Sequence, residues 1–489
     1  MSLSIAVTSM YLLLLLLLLV LAAAPTHGAP ADTHEKTFEL RHHSNLELHL
    51  ALKAIEERCP AVSRVYALEN RSVRGFPLWV LELSDNPGKH QILKPEFKYV
   101  ANMHGNEVVG RELLLALAND LCERWRSGDA EVQMLLNSTR IHLFPSMNPD
   151  GWQTATEAGG VDYLTGRSNN NSVDLNRDFP DLDRVMYGNE VRQLEYNNHL
   201  MNQLQHLNHQ PEPETLAVMQ WILSIPFVLS ANLHGGDLVA NYPYDASRSG
   251  APQEYASSPD DETFRSLAHT YADNHPRMKD PSRPPCVRGD ETFGNTGGIT
   301  NGAAWYSVKG GMQDFNYLAS NALEVTLELG CDKYPTTDRL EELWQENKPP
   351  LYQFMWQVHT GVSGLVRDAL GGVGIPGAVV TVRNVTKINE THARNDVIEH
   401  DVTTARDGDY WRLLTPGEYE MTAFAEGFLP LTHTVLVSNP LHAAQALRRD
   451  FDLTLITPDM LQLLSKDVAY EDEYKDALED AILNRLQRS

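Results

Sequence analysis

His104 and Glu107 stand three residues apart in the run His104-Gly105-Asn106-Glu107, and His234 ends the distant run Ala231-Asn232-Leu233-His234. Two imidazoles and a carboxylate are the donor set of a catalytic zinc ion, which takes three protein ligands and keeps a fourth position open. Zinc in such a site lowers the pKa of a water to about 7 and polarises a carbonyl. Amide hydrolysis then needs a carboxylate to take the water's proton and pass it to the leaving amine. Glu328 is the candidate, although its pattern points elsewhere: Leu323, Val325, Leu327 and Leu329 alternate with Glu324, Thr326 and Glu328, which reads as an edge strand with a solvated carboxylate face. Taken singly, His104 reads as a loop histidine capping a helix and His234 as a strand-end histidine. The run His209-Gln210-Pro211-Glu212 repeats the H-x-x-E spacing, but no strand precedes it, and it reads as a solvated loop.

The elements around these residues alternate in type. Phe97-Lys98-Tyr99-Val100-Ala101 predicts a strand that ends at Asn102-Met103-His104-Gly105, where a helix opens that carries Leu113, Leu114, Leu117 and Leu121 on one face. Ile141–Phe144, Phe227–Leu233 and Leu323–Leu329 predict further strands. Strands separated by helices imply an α/β fold, a mostly parallel mixed sheet flanked by helices, over residues 38–361. Sites in such sheets form at the carboxyl ends of strands, where His104 and His234 both fall. From 362 to 455 short β-rich runs such as Ala378–Val382 and Tyr419–Phe424, with turns at Asp407-Gly408 and Thr415-Pro416-Gly417, predict a small all-β sandwich. A last helix over 458–489 has Thr457 as N-cap and Pro458 at its first turn.

The 489 residues include 40 Lys and Arg against 65 Asp and Glu, a net charge of −25. An acidic surface argues against nucleic acid, whose phosphates need a basic one. Residues 1–28 read as a signal peptide: Tyr11 to Ala24 is an unbroken apolar run, too short for an easy membrane span, and small residues follow. The first ten residues carry no Lys or Arg, and a retained signal anchor is the alternative. Entry into the secretory pathway makes Cys59, Cys122, Cys286 and Cys331 disulfide candidates. Three pairings are possible, of which the one joining neighbours, Cys59–Cys122 with Cys286–Cys331, is preferred. Asn70, Asn137, Asn170, Asn384 and Asn389 each begin a glycosylation sequon.

Several short runs recur together in one order: His104-Gly105-Asn106-Glu107, Asn148-Pro149-Asp150-Gly151, Asp174-Leu175-Asn176-Arg177, Leu233-His234-Gly235-Gly236, Gly310 to Tyr317, and Thr326-Leu327-Glu328-Leu329. They resemble the zinc metallocarboxypeptidases of the regulatory (N/E) subfamily, and the segment from Gly364 to Arg412 resembles that subfamily's transthyretin-like domain. The resemblance covers residues 38–455. It implies one Zn2+ per chain held by His104, Glu107 and His234, with Glu328 as general acid/base. It implies Arg167 as stabiliser of the oxyanion, Asn176 and Arg177 as the grip on the substrate's terminal carboxylate, and Tyr306 as the residue closing over the substrate. Asp245 and Gln313 fall on the specificity pocket, where a buried carboxylate selects Lys or Arg. The run Asn176-Arg177-Asp178-Phe179 departs from the family, which commonly has a second asparagine there. The implied function is a secreted zinc exopeptidase of the granule or extracellular fluid that removes C-terminal Lys and Arg from peptides, in prohormone or neuropeptide processing.

Two other function classes are open to the same sequence: a non-catalytic binding protein on this fold, and an adhesion module built on the β domain. The final helix adds a membrane reading. Asp467, Glu471, Asp472, Glu473, Asp476, Glu479 and Asp480 lie between the apolar turns Leu461–Val468 and Leu478–Leu486. Acidification toward carboxylate pKa values of about 4 would neutralise them and favour an anionic bilayer; the alternative is a plain solvated helix.

Overall fold

Eight strands build one mixed sheet: β1 (Ser63–Arg71), β2 (Pro77–Leu83), β3 (Glu96–Ala101), β4 (Arg140–Phe144), β5 (Phe227–His234), β6 (Leu238–Tyr242), β7 (Ile299–Asn301) and β8 (Leu323–Leu329). They lie side by side as β1-β2-β4-β3-β5-β8-β6-β7 in a computed structural model. It describes residues 38–194, 198–204, 207, 209–290, 292–389, 392–457 and 460. The predicted signal peptide and all but Met460 of the acidic C-terminal helix lie outside the described residues.

The central strands β4, β3, β5 and β8 are parallel, while β1, β2 and β6 join antiparallel. From β3 the chain crosses through the helices Val109–Arg126 and Ala130–Ser138 to β4 on one side, then returns to β5 on the other. Such a reversal opens a crevice at the carboxyl ends of the two strands. Strands β3, β4 and β5 are buried at every residue, as a parallel sheet covered on both faces requires. Neighbours on β3 show the two layers. The Tyr99 hydroxyl donates to the Leu351 carbonyl of the helix Thr337–Trp356 at 2.9 Å, and Lys98 Nζ donates to Asn316 Oδ1 of the helix Met312–Ala319 at 2.7 Å.

Strand β8 is not at an edge. It lies between β5 and β6, and all seven residues are buried. The face that carries Glu324, Thr326 and Glu328 turns toward the helix Met312–Ala319 and the crevice, not toward water. Glu324 accepts from Asn316 Nδ2 at 2.9 Å and from Ser230 Oγ, beside Lys98 Nζ at 4.0 Å. A row of paired polar groups across the sheet therefore mimics, in sequence, a solvent face.

Disulfides join Cys59 to Cys122 and Cys286 to Cys331, the pairing of neighbours. The second ties down the loop that follows β8.

Strands β9 (Val362–Asp368), β10 (Val379–Asn384), β11 (Asp396–Thr403), β12 (Asp409–Arg412), β13 (Gly417–Phe424), β14 (Leu431–Val437), β15 (Leu447–Arg448) and β16 (Phe451–Leu453) make the all-β sandwich. One sheet runs β11-β10-β13-β14 and the other β12-β9-β15, with β16 also on β9. Inward residues such as Val366, Val380, Val382, Tyr410, Met421 and Phe451 interleave between them.

Charged groups join this sandwich to the larger sheet. Arg412, fully buried on β12, pairs with Asp260 at 2.9 Å, and Asp260 also accepts from the Tyr317 hydroxyl at 2.8 Å. The His400 ring stacks on Tyr317 with centroids 3.7 Å apart. His90 bridges Glu96 and Asp409 at 2.9 and 3.0 Å; burial opposes its charge, but the two carboxylates hold its pKa up at about 9. Arg412→Met leaves the Asp260 charge buried without its cation, so unfolding free energy should fall by about 3–5 kcal/mol in a urea titration. The double variant Arg412→Met/Asp260→Asn should recover most of the loss. Wild-type stability in the single variant would show that the pair contributes nothing net.

Candidate active site

Three adjacent strands deliver the chemistry to one place. His104 follows β3 in a turn that precedes the helix Val109–Arg126 by four residues, so it does not itself open that helix. His234 is the last residue of β5, and its direct cross-strand partner on β8 is Glu328. The His104 turn is packed so closely on the helix Pro149–Glu157 that a Cβ on Gly105 would meet the Gly151 carbonyl carbon at 2.1 Å. Only glycine fits in the H-G-N-E run at that point.

His104, Glu107 and His234 are all buried, and each turns one ligand atom toward the others. His104 Nδ1, His234 Nδ1 and Glu107 Oε2 form a triangle with sides of 3.2, 2.9 and 3.1 Å. Ligands about 2.0–2.1 Å from one tetrahedral zinc stand about 3.4 Å apart, so the triangle suits that ion. Asp174 Oδ1 accepts from His104 Nε2 at 3.0 Å, which turns the Nδ1 lone pair inward. Burial pushes the His234 imidazole toward its neutral, ligating form. The second oxygen of Glu107 is held by Lys333 Nζ at 3.0 Å, and Lys333 itself lies 3.9 Å from the centre of the Tyr163 ring.

Arg167 reaches the same centre. Its guanidinium pairs with Asp174 at 2.9 Å and has one nitrogen 3.5 Å from Glu107 Oε1. Glu328 is 8% exposed, with Oε2 unpartnered. Burial and the Glu107 carboxylate push its pKa well above the usual range, against Lys333 and Arg167.

A second group adjoins. Asp245 is 5% exposed, and burial pushes its pKa up to about 6 against Asn241 and Arg177. Its Oδ1 accepts from Gln313 Nε2 at 2.9 Å and Asn241 Nδ2 at 3.3 Å, while Gln313 Oε1 accepts the Thr326 N–H at 2.8 Å. Its Oδ2 faces Gly311 beside Asn176. A Cβ on Gly302 would come within 1.8 Å of Asp245 Oδ1, so that position needs glycine too. Asn176 Oδ1 accepts the Met312 N–H at 3.0 Å. Tyr306 is half-exposed and lies within electrostatic reach of Glu328, Arg177, Asp245 and Arg167. All ten residues singled out in the sequence thus lie in these two adjoining groups. His209 instead bonds Asp178, at 2.9 Å, away from them.

The model of the zinc carboxypeptidase family matches residues 48–350, and that of the carboxypeptidase regulatory-like domain matches 361–454. This chain belongs to the zinc carboxypeptidase family. Carboxypeptidase E of Caenorhabditis elegans is 48% identical over 413 residues, which span 83% of this chain and 86% of that one. The carboxypeptidase N catalytic chain of Mus musculus is 47% identical over 404 residues, covering 81% and 83%. Carboxypeptidase Z of Gallus gallus is 43% identical over 427 residues, covering 87% and 63%. The protein is accordingly a metallocarboxypeptidase acting on peptides, in a family that carries one catalytic zinc ion.

Sequence reasoning passed over Asp174 and Lys333. Asp174 stands inside the run Asp174-Leu175-Asn176-Arg177, and the need of a ligating histidine for a carboxylate partner is the signal that points to it. Lys333 had no local signal.

Proposed function

We propose that this carboxypeptidase removes C-terminal Lys and Arg residues from peptides in the secretory pathway, as in prohormone processing. The observation that carries the specificity is Asp245. Its carboxylate is almost wholly buried, with one oxygen held by Gln313 and Asn241 and the other facing Gly311 and Asn176. An apolar substrate side chain would leave that carboxylate desolvated and unpaired, whereas an ammonium or guanidinium completes it. The two disulfides and the apolar run Tyr11–Ala24 support the compartment.

His104, Glu107 and His234 would hold the zinc ion, which would supply Lewis acidity to the scissile carbonyl and acidity to a water. Glu328 takes the water's proton and returns it to the leaving amine. Arg167 donates to the oxygen on which negative charge develops. Asn176 and Arg177 bind the terminal carboxylate, which restricts cutting to the chain end, because a planar two-pronged donor matches a carboxylate. Tyr306 closes over the bound residue.

Hydrolysis of acyl-Arg and acyl-Phe dipeptides tests this reading. Asp245→Ala should lose about 2–5 kcal/mol of kcat/KM on the Arg substrate, the scale of a buried charge pair, and little on the Phe substrate. Zinc content should be unchanged. Equal losses on both substrates would remove Asp245 as the source of specificity.

A further inference from the structure

Two carboxyl groups lie behind Asp245, and the proposed reaction uses neither. Asp183, on the helix Leu182–Val191, and Asp314, on the helix Met312–Ala319, are 3% and 2% exposed. The charged groups acting on the pair are acids, Asp181 and Asp245. The phenols of Tyr187 and Tyr244 face it, with Arg248 and Glu190 beyond them.

Asp314 also reaches the main chain of the pocket. Its Oδ2 accepts the N–H of Asp245 at 2.7 Å and that of Ala246 at 3.3 Å. The adjacent residue, Gln313, holds the Asp245 side chain. One helix therefore fixes the backbone of Asp245 through Asp314 and its carboxylate through Gln313.

We propose that Asp314 is a positioning residue for the pocket: it holds the main chain of Asp245 so that the free oxygen of that carboxylate meets the substrate's cationic side chain. This rests on the reading of Asp245 as the specificity carboxylate. Burial and the neighbouring acids push the Asp183 carboxyl up to about 8 and that of Asp314 well above its usual range.

The test uses the zinc-loaded full chain with acyl-Arg and acyl-Phe dipeptides. Asp314→Ala removes both main-chain bonds, and KM for acyl-Arg should rise at least about tenfold, which corresponds to about 1.4 kcal/mol, with zinc content and kcat near wild type. In Asp314→Asn the side-chain oxygen still accepts both N–H groups. That variant, and Asp183→Asn, should keep the preference for Arg over Phe. A wild-type KM for acyl-Arg in Asp314→Ala overturns the proposal, as does an Asp314→Asn enzyme damaged as badly as the alanine variant. Should the alanine variant fail to fold, Asp314→Ser, whose side chain is too short to reach both N–H groups, replaces it, and a wild-type KM for acyl-Arg in that variant overturns the proposal. Asp245→Ala serves as control. If it keeps the preference for Arg, the Asp245 reading falls and this proposal falls with it. If it loses the preference while Asp314→Ala keeps it, only the positioning role is removed.

Discussion

Glu328→Gln is expected to lower kcat by about 10²–10⁴, the contribution of a placed general acid or base, while zinc content and KM stay near wild type. The substitution preserves size and shape on a fully buried strand, so the sheet has no reason to repack. What it removes is a proton acceptor. Glu328 stands beside His234 across the β5–β8 ladder, and its Oε2 is buried without a partner in the protein. An unpartnered carboxylate oxygen at that depth costs stability, and such groups persist where a substrate or water completes them. An amide there can donate or accept a hydrogen bond but cannot carry the water's proton to the leaving amine. Turnover of acyl-Arg together with metal content of the same preparation measures it. A kcat within a few-fold of wild type would show that Glu328 is not the acid/base.

His104→Ala should abolish turnover by emptying the metal site. Changes to groups that merely orient a ligand already cost about 10–100-fold in metal affinity, so deleting a ligand should exceed about 100-fold. The remaining donors, His234 and Glu107, cannot define an open tetrahedral site by themselves. Their surroundings also change: Glu107 keeps its contacts with Lys333 and Arg167, both cations, which then compete for the carboxylate. Equilibrium dialysis against zinc reads the affinity independently of catalysis. Retained stoichiometric zinc with lost activity would show that His104 serves the reaction without ligating; retained activity without zinc would remove the metal mechanism.

Much of the fold was legible because apolar periodicity is a local property. The strands around Phe97–Ala101, Ile141–Phe144 and Phe227–Leu233 and the helix bearing Leu113, Leu117 and Leu121 all form where their patterns predict. The misreading at β8 has a physical cause. Period-2 alternation says which residues share a face, but not what covers that face. Glu324 and Glu328 look solvated in sequence, yet both are buried; Lys98, Asn316 and Ser230 provide the pairing that burial demands at Glu324, and Glu328 keeps one oxygen unpartnered.

The sequence by itself determined the donor types, their spacing and their order, and with them the family. Those are properties of the one-dimensional chain. Only the tertiary structure decided that His104, His234 and Glu328 meet, because their adjacency comes from the crossover order β3-β5-β8, which long-range pairing sets. It also decided which carboxylates serve as partners. Asp174 reaches His104 across 70 residues and Asp314 reaches the Asp245 main chain across 69, separations at which no local pattern can register a contact. Burial then changes the chemistry of these acids in opposite ways: it pushes the Asp314 carboxyl well above its usual range, while that of Asp174, which burial would also raise, is held below it by His104 and Arg167.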